Sequence, residues 1–257
     1  MKDNHKILLA LDVSTQTIGV CLLEDDDSEH GKLLELTHIN PKVSNKIKGI
    51  EQLFLKKRIF EDFLLKYKDF GIDHVIIEEP LVRSNNVNTV STLLRFNGMV
   101  SDCVYSILGI VPQYISSYDA RKYSFPELMA IRKYGKDGNQ YPYKKVKKEI
   151  KDCNLVLFGS YPWTIDKKTV IQGKVEELFP DIEWLYDKEG NLKKENFDAC
   201  DAYVALLGWL NREKNGELEF SVEVGDEVTD NEGKHIEINY KIMYWNKKEE
   251  RKTLLDV

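Results

Sequence analysis

Hydrophobic and polar positions at the start of the chain fall into blocks that predict strands. Ile7, Leu8, Leu9, Ala10 and Leu11 form a continuous apolar run that ends at Asp12. Ser14–Thr17 is a polar turn, and the run from Ile18 to Leu23 returns. Apolar runs bounded by turn residues read as paired strands. After an acidic loop at 24–31, a third strand is expected over 32–39. The period then changes. Ile47, Ile50, Leu53, Phe54, Ile59, Phe60, Phe63 and Leu64 recur at helical spacing, which predicts an amphipathic helix over 47–67 with Gly71 as its stop. A short buried strand over 74–78 ends in Glu78, Glu79 and Pro80; a second helix spans 88–108 and closes at Gly109; a fifth strand spans 110–116. The order β-β-β-α-β-α-β is an α/β layout with a mixed sheet.

The segment 121–162 breaks that rhythm. It is basic and rich in tyrosine, with Pro126, Pro142, Gly135 and Gly138, and reads as an insertion of short helices and loops. Helices are expected over 167–179 and 198–211, with a polar loop or small hairpin at 181–196 between them. The stretches 218–224 and 235–245 alternate apolar and polar residues around turn signals, so the tail reads as a β-hairpin.

Composition narrows the class. The chain has 257 residues, 42% hydrophobic and 31% charged, which suits a soluble globular enzyme. No apolar run approaches the roughly 18 residues of a membrane span, and the apolar stretch at 7–10 is too short for a secretory signal. Cys21, Cys103, Cys153 and Cys200 are scattered with no paired spacing, so reduced thiols in a cytosol are expected rather than a structural zinc or a disulfide scaffold. The net charge of −6 argues against a protein that coats nucleic acid nonspecifically. Charge is uneven, however: Arg121–Lys151 holds ten Lys and Arg against three acids. That segment fits either a phosphate-backbone footprint or a solvated lysine-rich surface.

Four acids stand where a core would not ordinarily place them. Asp12 and Glu78 end apolar strands; Asp198 and Asp201 open an otherwise apolar helix, one turn apart on one face. Each has a bland reading. Asp12 can cap the following turn, Glu78 or Glu79 can be a solvated strand end, and Asp198 can complement a helix dipole. Asp201, inside an apolar helix, needs a partner or a metal. Taken together, carboxylates without His or Cys suit Mg²⁺ or Mn²⁺. Two such ions about 4 Å apart activate water and support the leaving oxygen in phosphodiester cleavage.

These motifs, in this order, resemble a known group. The segment 9–20 around Asp12 is similar to the first hairpin of RNase H-like nucleases, specifically RuvC-type Holliday-junction resolvases. The segment 74–80 resembles their acidic fourth strand, 92–109 the helix after it, and 112–122 the fifth strand running into a basic segment. Asp198, Ala199, Cys200, Asp201 and Ala202 resemble the closing Asp-x-x-Asp-Ala helix. The resemblance covers roughly 6–122 and 166–212, and the pattern looks phage- or virus-like.

The resemblance implies an RNase H-like mixed five-stranded sheet flanked by helices over 1–212, with an insertion at about 123–165 and a β-like extension at 213–257. It implies a homodimeric, Mg²⁺-dependent endonuclease that nicks two opposed strands of a four-way DNA junction, with two metal ions and Mn²⁺ as a substitute. The expected location is a cytoplasm, the host's for a phage or viral chain. Asp12, Glu78, Asp198 and Asp201 would be the ligands. Glu78 precedes Glu79 in this assignment because the family acid directly follows the apolar run; a change of register would invert the choice. Lys122, with Arg121 as its competitor, and Lys168, with Lys167 as its competitor, would lie near the scissile phosphate. Tyr123, Phe125, Tyr134, Tyr141 and Tyr143 either stack on unpaired bases or pack the insertion on itself. The insertion is longer than the family's stretch, and the tail has no counterpart there.

Rival readings remain. The turn after Asp12 also resembles the phosphate-binding hairpin of actin-like ATPases and sugar kinases, which use two copies of the fold. A non-catalytic module that keeps the fold is a second rival, against which the full set of four acids argues; another RNase H-like nuclease acting on flaps, RNA–DNA hybrids or single strands also fits.

Overall fold

A run as apolar as 7–11 needs cover on both faces and partners on both edges. The computed structural model, which describes residues 5–80, 86–125 and 167–216 together with the backbone of three strands in the tail, provides both. Leu8, Leu9, Ala10 and Leu11 of β1 (Lys6–Val13) are fully buried. β1 pairs antiparallel with β2 (Ile18–Asp25) and parallel with β4 (Ile72–Glu78). β2 pairs antiparallel with β3 (Lys32–Ile39), whose half-exposed residues suit an edge, and β4 pairs parallel with β5 (Gln113–Ile115). The order β3-β2-β1-β4-β5 is a mixed five-stranded sheet flanked by helices, the α/β architecture expected.

One face of this sheet is covered by α1 (Gly49–Leu64) and α2 (Val87–Leu108). Leu9, Leu11, Val13, Val75 and Ile77 form one core with Phe60, Leu64, Phe96 and Val100. Lys57 clamps the two helices, 2.9 Å from Glu61 and 3.1 Å from Asp102, and these carboxylates hold its ammonium well above the usual lysine range. α2 ends where expected: Gly109 adopts φ 73° and its N–H bonds the Tyr105 carbonyl at 2.9 Å. The fifth strand is shorter than the expected 110–116. Pro112 has no N–H to give a ladder, so pairing starts at Gln113.

The chain divides into two compact units, Met1–Ala120 with Ile171–Trp209, and Arg121–Val170 with Leu210–Val257. In the first lies most of α5 (Lys194–Asn215), whose residues 199–210 are all buried. It begins one turn before the expected 198. Asn196, which reads as loop in sequence, is a buried anchor: its side chain accepts from the Leu185 N–H at 3.0 Å and donates to the Leu185 carbonyl at 2.8 Å. The segment before it forms the small hairpin, bridged between Tyr186 and Leu192. Gly208 lets α5 approach α3 (Ser117–Ser124), since a Cβ there would lie 2.3 Å from the Ala120 carbonyl oxygen.

In the second unit, Asn211 donates to the Tyr123 carbonyl at 2.9 Å. The tail forms β6 (Leu218–Thr229), β7 (His235–Asn246) and β8 (Lys252–Asp256), an antiparallel sheet in which β8 adds a third strand to the expected hairpin. A further helix, α4 (Lys167–Leu178), buries Ile171 and Val175 within the first unit. Most of the expected insertion at 123–165 lies outside the described residues. Among the described residues there is one mixed sheet of this kind; the other sheet is wholly antiparallel. No described helix is long and apolar enough to cross a membrane.

Candidate metal centre

Three acids meet at the C-terminal end of β1. Asp12, Asp198 and Asp201 each offer a carboxylate oxygen, and these atoms lie within 4.8 Å of one another. Strand alternation explains the first. Leu9, Leu11 and Val13 face α1 and α2, so Leu8, Ala10 and Asp12 face the other side of the sheet. α5 lies on that side. Gly19 is the register partner of Asp12 on β2, and a Cβ built there would stand 1.8 Å from the Asp198 carbonyl oxygen. Asp198 and Asp201, three residues apart on α5, then share the face nearest Asp12. Asp201 is 7% exposed; Asp12 and Asp198 are half-buried.

The bland readings lose ground on geometry. Asp198 is the fifth residue of α5, beyond the first turn in which a carboxylate complements the helix dipole. The turn after Asp12 has its own cap: the Ser14 hydroxyl accepts from the Thr17 N–H at 3.0 Å and donates to the Thr17 carbonyl at 2.7 Å.

Glu78 occupies the end of β4 beside Asp12. Leu11 pairs with Ile77, so the next step of the register brings Asp12 opposite Glu78, on the same face of the sheet. Among the described residues, the carboxylates that lie within 4.8 Å of one another are those of Asp12, Asp198 and Asp201. Glu79 stands one residue beyond the strand, its N–H on the Ile115 carbonyl at 2.8 Å.

The expected basic residues belong to the second unit. Lys122 lies on α3, its ammonium 5.2 Å from the centroid of the Tyr123 ring, and Lys168 is in the first turn of α4 beside Lys167. Tyr123 and Phe125 are buried, so for these two packing wins over base stacking. Tyr134, Tyr141, Tyr143 and the lysines at 133–151 lie outside the described residues.

Several residues around the centre are not singled out by the sequence reading. Gly19 supplies the close approach. Thr17 donates to Asn40 at 2.9 Å, Asn40 donates to Glu195 at 3.3 Å, and Lys194 donates to Gln16 at 2.9 Å. The Lys56 ammonium on α1 donates to the Thr15 carbonyl, and burial pulls it below the usual lysine range. The Glu195 carboxyl is held below the usual glutamate range by its own backbone amide, by Asn40, and by the charges of His38 and Lys194. The sequence carries one signal of Glu195: it stands three residues before Asp198, as Asp198 does before Asp201.

The donor set fits a hard divalent cation. All three close donors are carboxylates, with no His or Cys among them, which suits Mg²⁺ or Mn²⁺ rather than zinc.

No family model matches the chain, and no curated protein matches it. Solved structures do. RuvC of T. thermophilus in complex with a Holliday junction substrate has 10% identity and a TM-score of 0.47, covering 82% of this chain and 97% of that one. The yeast mitochondrial Holliday junction resolvase Ydc2 has 12% identity and a TM-score of 0.45, covering 81% and 79%. A Ppx/GppA family member from Aquifex aeolicus has 9% identity and a TM-score of 0.33, covering 51% and 45%.

Proposed function

We propose that this protein is a divalent-metal-dependent, structure-selective DNA endonuclease that resolves four-way junctions by paired nicks. The observation that carries this reading is the meeting of Asp12, Asp198 and Asp201 within 4.8 Å at the C-terminal end of the central strand. These are the acids of motifs that resemble, in order and type, those of RuvC-type resolvases.

Asp12, Asp198 and Asp201 would hold one cation, and Glu78, beside Asp12 in register, would complete the site for a second. When bound at these carboxylates, divalent cations would supply a lowered water pKa and charge stabilisation at the leaving oxygen, the chemistry of phosphodiester hydrolysis. The chain's own residues do the rest. The carboxylates fix where the cations stand. By the same resemblance Lys122 and Lys168 would contact DNA phosphates, with Arg121 and Lys167 as their alternates. The basic residues of 121–151 hold the flanking backbone, which positions DNA without reading its sequence. The products carry a 5′ phosphate and a 3′ hydroxyl. Two opposed nicks need two centres, so the acting form is a homodimer.

Three clustered carboxylates repel DNA phosphates until a cation neutralises them. The test is a panel of labelled substrates (four-way junction, flap, RNA–DNA hybrid, linear duplex and single strand) with Mg²⁺ and with EDTA. Symmetric nicks in the four-way junction, lost in EDTA, are the expected result. Cutting of flaps or hybrids in preference to junctions would move the protein to another branch of RNase H-like nucleases. ATP-dependent stabilisation without cutting of any substrate would favour an actin-like ATPase.

A further inference from the structure

We propose that Asn40 is a positioning residue for the carboxylate centre: it bridges the turn that follows Asp12 to the helical turn that precedes Asp198. The inference rests on the metal-binding reading above.

Asn40 directly follows β3. Its Oδ1 accepts from the Thr17 hydroxyl at 2.9 Å, and its Nδ2 donates to Glu195 Oε1 at 3.3 Å. Thr17 is only 1% exposed and closes the turn that begins two residues after Asp12, its carbonyl accepting the Ser14 N–H at 3.0 Å. Glu195 is the second residue of α5 and lies one turn before Asp198. One amide thus ties together the two backbone segments that carry the three acids. A second tie runs parallel to it, from Lys194 to Gln16. Gly19 makes the third, since the absence of a side chain there lets the Asp198 backbone rest on β2.

The chemistry explains why an amide suits this place. Carboxylates held within 4.8 Å of one another repel before a cation arrives. The backbones beneath them must therefore be fastened independently of the metal. An amide accepts from a hydroxyl and donates to a carboxylate at once. It also adds no positive charge that would compete with the cation for the acids, as an ammonium at the same position would.

The experiment titrates Mn²⁺ into the full-length chain by calorimetry, with thermal melts in EDTA reporting folding. Asn40→Ala is expected to weaken Mn²⁺ binding about tenfold, the lower end of what outer-sphere changes produce at metal sites. Glu195→Gln keeps an acceptor oxygen for Asn40 and should bind Mn²⁺ within about twofold of wild type, far from the weakening that loss of a supporting contact produces. Asn40→Ala binding as wild type overturns the proposal, and so does Glu195→Gln weakening binding as much as Asn40→Ala, since the effect would then be one of charge. If Asn40→Ala does not fold, Thr17→Val and Thr17→Ser decide. Weakening in the first with wild-type affinity in the second supports the bridge, and equal affinities in the two overturn it. A wild-type chain that binds no Mn²⁺, or an Asp201→Asn chain that binds it normally, defeats the metal reading itself rather than the role of Asn40.

Discussion

A Cβ on Gly19 would stand 1.8 Å from the carbonyl oxygen of Asp198 and 2.3 Å from its carbonyl carbon. Gly19 is also the residue paired with Asp12 across β1 and β2. The missing side chain is what lets α5 settle where two acids of the centre meet. Gly19→Ala therefore forces backbone apart, which costs about 1–3 kcal/mol in a packed interior. The urea midpoint should fall and Mn²⁺ binding should weaken in the same variant. Gly98→Ala on α2 is the control, because a Cβ there meets nothing within 4 Å. It should be neutral or gain up to about 1 kcal/mol of helix propensity. Equal behaviour of the two variants would contradict the close-approach argument.

A cation that binds only the folded chain raises its melting temperature by mass action, with about 2.7 kcal/mol of stabilisation at a hundredfold excess over Kd. The wild-type melt should rise with Mn²⁺ and with Mg²⁺. Asp12→Asn and Asp201→Asn should each flatten that response. A full response in either variant would remove that residue from the centre.

Much of this arrangement is legible in the sequence because it is local. The run 7–11 has no polar break, so it must be a strand buried on both sides; Asp198 and Asp201 sit three apart in an apolar helix. What sequence leaves open depends on contacts between distant residues. Gly19 looks like any glycine in a strand until Asp198 is found above it. Asn40 and Glu195 are 155 positions apart, so nothing local announces their bond. Asn196 reads as a loop residue because its partners, the backbone groups of Leu185, are supplied by the hairpin before it. The early start of α5 follows from that anchor, and it changes the meaning of Asp198 from a dipole partner to a member of the centre. The choice between Glu78 and Glu79 turns on register, which one sequence leaves free.

The pH dependence of stability should carry a signature of Glu195. Its own amide, Asn40, His38 and Lys194 hold its carboxyl below the ordinary glutamate value of 4.5 in the folded chain. A carboxyl depressed on folding stabilises the protein above its unfolded pKa, and that contribution is lost as pH falls through the folded one. Wild type should therefore exceed Glu195→Gln in urea midpoint at pH 6, and the difference should shrink steadily toward pH 3. A difference that grows on acidification would contradict the assignment.

The described thiols should be inert in the native state. Burial pushes the Cys103 thiol up to about 12, and burial, helped by the nearby Cys200 and Glu35, raises Cys21 well above the ordinary value. Cys200 is buried as well. Iodoacetamide at pH 8, followed by peptide mass spectrometry, should leave Cys21, Cys103 and Cys200 unlabelled until urea unfolds the chain. Rapid native labelling of any of the three would contradict their burial.

The central claim is that Asp201, with Asp12 and Asp198, holds the cation that drives strand cleavage. Its most direct test is single-turnover cutting of a labelled four-way junction by wild type and by Asp201→Asn in Mg²⁺, with junction binding measured alongside. The predicted result is paired nicks from wild type and at least a hundredfold slower cutting from Asp201→Asn, about the scale of losing one preorganised stabilising group, with junction binding retained. Cutting by Asp201→Asn at the wild-type rate would contradict the account.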